Sequence, residues 1–344
     1  MNTNQFSSLK IFSHADKIAK YQAGQTPYPV SVDLSPSNFC NHKCVWCVYA
    51  NFLKESRDVL EKDVLFSLID NLKSISVRGI NFTGGGEPLT NKSTVDAMEK
   101  AYGLGMDVGL ITNGALLDKE NIKRLKRISK YIRVSLDAGK AKTYSMLHNV
   151  DENEFVKVLS MVELLGSIER DTECRVGVQL LQVAENNKET FSITKLLKGY
   201  GIHFVEVRPA ININNNINEI IGANEPFLAD MESLSDEKFK VLIRRERFRM
   251  SEGFGKDYEN CVSPHFLAAF SADGNVYTCC ELLGSKQHML GNFRYDALEN
   301  IFNFSRIEKK LKELNLKNCP KYCKAEMINR TFEQLRGLIH YNIL

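Results

Sequence analysis

Long apolar runs are missing from this 344-residue chain: none approaches the roughly 20 positions that a membrane-spanning helix needs. The opening stretch, MNTNQFSSLKIFSHADKIAK, has neither the apolar core nor the small-residue cleavage site of a secretion signal. An excess of one charge is missing too. Lysine and arginine total 45 against 42 aspartates and glutamates, a net charge of +3, so neither a nucleic-acid nor a membrane partner is expected. No internal repeat, low-complexity tract or long linker interrupts the chain, which excludes a solenoid or a string of tethered modules. What is there is 43% hydrophobic and 25% charged, enough for one large α/β domain or a barrel with a small second domain. A cytoplasmic location is the expectation.

Nine cysteines are many for that compartment, where thiols stay reduced and disulfides are rare. Cys40, Cys44 and Cys47 crowd the stretch CNHKCVWC, Cys174 stands alone, and Cys261, Cys279, Cys280, Cys319 and Cys323 form a later group. Two separated sets of thiols in a reducing compartment read as two metal or cluster sites.

From residue 30 short apolar runs alternate with segments of helical period. VSVDLS (30–35), INFT (80–83), DVGLIT (107–112), YIRVSL (131–136), RVGVQLL (175–181) and HFVEVRP (203–209) read as buried strands. Between them Leu65, Leu68, Ile69 and Leu72 recur at helical spacing, as do Phe155, Val158, Leu159, Val162 and Leu165. Six such alternations imply parallel strands joined by crossover helices, an α/β fold forming a partial (β/α)6 barrel over residues 30–210. Chemistry in such barrels collects at the C-terminal strand ends, and the cysteine trio follows the first strand directly. Residues 1–29 are an N-terminal extension and 211–258 a connecting segment with an Asn-rich loop and a charged, helical stretch around 233–250. AAFSADGNVYTCC reads as two short strands about an Asp-Gly turn, opening a small C-terminal iron–sulfur domain over 259–344.

Structural zinc takes four ligands, and the first set offers three thiolates, with His42 as a fourth candidate. Three thiolates on one loop also suit three irons of a [4Fe–4S] cluster, whose fourth iron stays open to a small molecule. The pattern C-x3-C-x2-C with an aromatic before its last cysteine, matched by Cys40, Cys44, Trp46 and Cys47, resembles the signature of the radical S-adenosylmethionine (SAM) superfamily. The resemblance implies that the open iron is chelated by the amino and carboxylate groups of SAM, with Trp46 near the adenine. TGGGEP (83–88) is similar to the family's Gly-Gly-Glu motif, which gives Gly85 and Gly86 a close approach to the cofactor and Glu87 the methionine ammonium. TNG (112–114), with Asn113, and SLD (135–137) also look like this family. Ser135 and Asp137 would then bond the ribose hydroxyls, or else cap the next helix. Arg208 would meet a carboxylate or form a surface ion pair. This resemblance covers roughly residues 30 to 210.

The later cysteines give C-x12-G-x4-C through Cys261, Gly274 and Cys279, then C-x3-C at Cys319 and Cys323, and LGNF follows at 290–293. The arrangement resembles the SPASM extension of radical SAM enzymes, or its shorter relative Twitch. It lacks several of the seven SPASM cysteines, so one auxiliary [4Fe–4S] cluster on Cys261, Cys279, Cys319 and Cys323 is implied, with structural zinc as the alternative. Cys174 reads as a core residue. Adjacent strand residues point to opposite faces, so Cys280 is not expected to share a cluster with Cys279. It is either a packing thiol or a catalytic hydrogen-atom donor.

The resemblance implies reductive cleavage of SAM, with a flavodoxin or ferredoxin as electron donor, and a 5′-deoxyadenosyl radical that takes a hydrogen atom from substrate carbon. About thirty residues precede the first strand, too few for a leader-peptide-binding domain. The expected substrate is therefore a small polar metabolite of sugar or aminocyclitol type, oxidised or epimerised; a peptide maturase is the alternative. The asparagines at 212, 214, 215, 216 and 218 would bond a polyol or simply be solvated. Arg244, Arg245, Arg247 and Arg249 would draw an anionic substrate or line a solvated helix face.

Overall fold

The computed structural model of the chain describes residues 8–168, 172–210, 225–251, 256, 258–319 and 323–336. The six expected strands are present: β1 (Ser31–Leu34), β2 (Gly79–Phe82), β3 (Asp107–Thr112), β4 (Ser129–Ser135), β5 (Arg175–Gln182) and β6 (Phe204–Pro209). They lie side by side in that order, each parallel to the next. Crossover helices include Lys62–Ser74, Thr94–Gly103, Lys119–Ile128, Asn153–Ser167 and Asn187–Gly199. The strand period of two divides the sheet's faces. Val32, Leu34, Ile80, Phe82, Val108, Leu110, Val134, Val178 and Val207 join one core with the buried helix residues Leu65, Leu68, Ile69 and Leu72. Each such side chain taken from water contributes about 1.5–3 kcal/mol. Cys174 belongs to the same core.

The opposite, concave face is polar: Asp33, Asn81, Tyr131, Arg133, Gln179, Glu206 and Arg208 alternate with the core residues. Tyr131 lies flat across Gly109 of the neighbouring strand. A Cβ at Gly109 would sit 2.4 Å from that ring, so only glycine fits there.

The sheet is open and longer than six strands. β7 (Lys240–Ile243) pairs parallel with β6, inside the stretch expected to be helical; helices Pro226–Ser233 and Arg245–Ser251 flank it. The arginines after residue 243 carry the helical spacing, while Phe239 and Val241 are buried beside the sheet. β8 (Leu267–Phe270) and β9 (Asn275–Tyr277) form the expected antiparallel hairpin, turned at Gly274 with φ +88°, and β10 (Met289–Asn292) pairs with β9. β8 also pairs parallel with β1, so the strand order is β10-β9-β8-β1-β2-β3-β4-β5-β6-β7. The hairpin that leads into Cys279 and Cys280 is thus a continuation of the same sheet. The Asn-rich loop lies outside the described residues. None of the described helices is long and apolar enough to cross a membrane.

Candidate metal and cofactor site

The loop after β1 is pinned from three sides. Asn38 takes the hydroxyl of Ser56 through its amide at 2.7 Å, and its carbonyl accepts from Ser271 of the later hairpin at 3.1 Å. The main-chain N–H groups of Lys43 and Val45 donate to the His148 and Leu147 carbonyls. Cys40, Cys44 and Cys47 are thereby held half-buried, and all are free thiols.

His148, which the sequence gave no reason to single out, lies under Cys44: Nδ1 is 3.4 Å from Sγ. Its Nε2 is 3.2 Å from the Leu136 carbonyl, the only partner there that must accept, which leaves Nδ1 to accept from the Cys44 thiol. Burial holds this imidazole down to about 3, so it is neutral. His42, the fourth zinc ligand considered, is also buried, with Nε2 3.0 Å from Glu154 Oε1.

The glycine loop packs against this one. Gly86 N–H donates to the Ser37 carbonyl and Glu87 N–H to that of Phe39. A Cβ on Gly86 would meet the Phe39 oxygen at 2.3 Å, so a side chain there would push the two loops apart. The Glu87 carboxylate is buried and already accepts three bonds: Leu89 N–H at 3.1 Å and the Thr112 hydroxyl at 2.6 Å on Oε1, and Asn113 N–H at 2.8 Å on Oε2. About one of a carboxylate's four lone-pair positions remains. Asn113 in turn donates to Asn41 of the cysteine loop at 2.8 Å. The ends of β1, β2 and β3 are thus tied into one cradle.

Across it, Trp46 is buried among Leu147, Val183 and Ala210, over the ends of β5 and β6. Ser135 is partly exposed at the end of β4, in register with Gln179. Asp137 does not cap a helix. Its φ is +57°, Oδ1 accepts from Leu181 N–H at 2.7 Å, and Oδ2 lies 3.5 Å from His148 Nε2. Burial pushes its carboxyl up to about 7. Arg208 ends β6 without an ion pair among the described residues, so it is not the surface salt bridge considered from sequence.

The five later thiols line a single cavity together with Ser31, Asp33 and Lys324. β9 ends at Tyr277, and Cys280–Leu282 forms a 3-10 turn, so strand alternation does not separate Cys279 from Cys280 as expected. The two thiols lie near enough to act on each other, and Cys280 also acts on the Asp33 carboxylate, which lines the same cavity. Lys324 Nζ sits 2.5 Å from Asp33 Oδ2, Asn81 donates to Oδ1 at 2.9 Å, and Tyr131 donates to Asn81 at 2.9 Å. Asn329 donates to both Cys261 and Cys323 at 3.7 and 4.0 Å. A charged residue in the middle of an apolar strand, Asp33, was the one sequence signal of this chain of contacts.

A tetrahedral zinc with Zn–S bonds of about 2.3 Å draws its sulfurs to about 3.8 Å from one another. Among the described residues no three of these thiols come within 4.8 Å of each other; the only such donor group is His42, Cys44 and His148. The wider spread, in two half-buried pockets of free thiols, fits iron–sulfur clusters better than mononuclear zinc.

Burial raises Cys40 to about 11 and Cys323 to about 12, from an ordinary 9.0. Without metal the folded chain keeps these protons where the unfolded chain releases them. Their stabilising contribution is therefore complete below about pH 9 and is lost as pH rises through the folded values. The denaturation midpoint of metal-free protein should fall between about pH 9 and about pH 11 and that of cluster-loaded protein should not, because cluster ligation has already removed the protons. Parallel pH profiles for the two forms would contradict this.

Comparison with known proteins agrees with the geometry. Residues 34–177 match the radical SAM superfamily, and residues 261–325 match SPASM, an iron–sulfur cluster-binding domain. An AdoMet-dependent heme synthase of Methanosarcina barkeri is 23% identical over 80% of this chain and 82% of its own. The tungsten-containing aldehyde ferredoxin oxidoreductase cofactor-modifying protein of Pyrococcus furiosus is 22% identical over 79% and 76%. Among solved structures, Streptococcus suis SuiB bound to precursor peptide SuiA superposes with a TM-score of 0.64 at 15% identity, covering 84% of this chain and 68% of SuiB. Native anSMEcpe with bound AdoMet gives 0.60 at 19%, covering 86% and 89%. At these identities the structural likenesses show the fold.

Proposed function

The chain belongs to the radical SAM superfamily and carries a SPASM domain toward its C-terminal end, and we propose that it oxidises or epimerises a small polar metabolite of sugar or aminocyclitol type at carbon. Cys40, Cys44 and Cys47 would hold a [4Fe–4S] cluster which, with SAM bound, would supply the 5′-deoxyadenosyl radical for hydrogen-atom abstraction from the substrate. Cys261, Cys279, Cys319 and Cys323 hold one auxiliary cluster. A flavodoxin or ferredoxin is the donor class.

The chain's own residues orient the cofactor. Glu87 turns its remaining lone pair to the methionine ammonium, with Gly85 and Gly86 keeping the main chain close. Trp46 covers the adenine, Ser135 and Asp137 face the ribose, and Asn113 holds the cysteine loop against the cradle through Asn41. The half-buried pocket excludes water from a reactive radical.

One observation carries this reading most: both cysteine sets converge on β1. The trio continues from its C-terminal end, and the later cavity is lined by its Ser31 and Asp33. One strand thus carries the loop of the first set and part of the wall around the second.

The test is SAM binding and cleavage by anaerobically reconstituted protein and its Glu87→Gln variant. Wild type should release 5′-deoxyadenosine on reduction, and the variant should bind SAM about tenfold more weakly with unchanged iron. The variant should also lose about 1–3 kcal/mol of stability, since an amide cannot accept from all three donors. Unaltered SAM affinity would remove Glu87 from the cofactor site. Turnover of a ribosomal precursor peptide, and not of small polyols, would place the enzyme with the peptide maturases.

A further inference from the structure

Four arginines gather where β4, β5 and β6 end, and two of them have no ion pair among the described residues. Arg133 is ion-paired with Glu206, and Arg244 Nε lies 3.7 Å from the other oxygen of the same carboxylate and 3.0 Å from Glu246. Arg208 is two residues beyond Glu206 on the same face of β6. Among the described residues it has no ion pair, and its buried Nε has no hydrogen-bond partner. Arg247, from helix Arg245–Ser251, is likewise without an ion pair among the described residues. Helix Arg245–Ser251 packs against β6, and burial, then the Arg247 and Arg133 charges, bring Arg208 down to about 10.

Glu281 faces this pair from the turn that follows Cys279, and its buried Oε2 has no hydrogen-bond donor. Gln179, also buried, leaves its carbonyl unpaired beside Glu206. Glu206 is the carboxylate that Arg133 and Arg244 share, and neither Arg208 nor Arg247 has an ion pair of its own among the described residues. A half-buried cation without an ion pair is costly, and paired guanidiniums match the fork of an oxyanion.

Arg208 lies between the two cysteine sites, since it acts on Asp137 beside the first and on Glu281 beside the second. Arg247 acts on Glu206 and on Glu281, the latter in the cavity wall beside the auxiliary thiols.

We propose that Arg247 and Arg208 bind an oxyanion of the substrate, a carboxylate or a phosphate, and hold its reacting carbon between the two cysteine sites. This rests on the radical SAM reading for the identity of the cavity. It narrows the substrate class from polar to anionic. One other source offers the same chemistry, the carboxylate of SAM itself, and the experiment separates the two.

Inorganic phosphate and succinate are titrated calorimetrically into reconstituted, SAM-saturated protein, and SAM affinity is measured in parallel. At least one anion should bind the wild type saturably. Arg247→Met should weaken it about tenfold or more, Glu281→Gln should tighten it several-fold, and SAM affinity should stay within about twofold in both. Absence of saturable anion binding, or binding that neither variant alters, overturns the proposal. So does a loss of SAM affinity in Arg247→Met as large as the loss of anion binding, which would assign the pair to the cofactor's carboxylate. A wild-type protein that bound SAM without cleaving it would instead sink the radical reading, leaving the anion titration to stand on its own.

Discussion

Replacing Cys40, Cys44 and Cys47 together by alanine should take the iron of anaerobically reconstituted protein from about eight to about four per chain, and abolish SAM cleavage. The two losses differ in kind. Half of the iron survives because its ligands come from other elements: Cys261 and Cys323 are held by the Asn329 amide, and Cys279 by the turn after β9. Cleavage should not survive, because in the proposed arrangement the trio, with three thiolates, is the set that would leave an iron open to SAM. The variant should keep the absorbance of the C-terminal cluster. Zinc in place of the remaining iron would overturn the auxiliary-cluster assignment, and complete loss of metal would show that the two sites do not load independently.

Cys280→Ala should separate two chemistries. An oxidation must remove an electron from the substrate radical, for which the auxiliary cluster is the natural acceptor. An epimerisation must return a hydrogen atom to the opposite face, for which a thiol at the cavity wall is the donor. Cys280 lines that wall together with Asp33. If it is the donor, Cys280→Ala should retain about eight irons and form 5′-deoxyadenosine, while solvent deuterium no longer enters the product. Cys279→Ala should instead lose about four irons. Because the two thiols lie near each other, an exchange of these outcomes would mean that Cys280 is the ligand and Cys279 its neighbour. Full product formation by Cys280→Ala would return that thiol to a packing role and favour oxidation.

Much of this was legible in the order of residues, where local rules apply. Six strands were found because parallel strands buried on one face and helices of clear period alternate, and both cysteine patterns lie within short, countable spacings. What escaped depends on distance or on competition between local signals. β7 is four residues beside an arginine run whose helical spacing dominates. His148 reaches Cys44 across 104 positions, and no local pattern records that approach. Cys279 and Cys280 were read as strand neighbours pointing apart, but the strand stops two residues earlier and the turn brings them together. Glu87 is recognisable as a member of its motif, while two of the three bonds it already holds, from Thr112 and Asn113, exist only because β3 lies beside it.

The pairing of β8 with β1 also limits how the sheet can open. The join is made of main-chain bonds, with Val30 N–H to the Phe266 carbonyl at 2.7 Å and Ser35 N–H to that of Phe270 at 2.8 Å closing its two ends. Neighbouring strands stand about 4.8 Å apart, and that spacing yields only when the ladder breaks. A hinge that opened along this seam would have to break those bonds. Relative motion is left to the segments beyond the strand ends, where both cysteine sets lie.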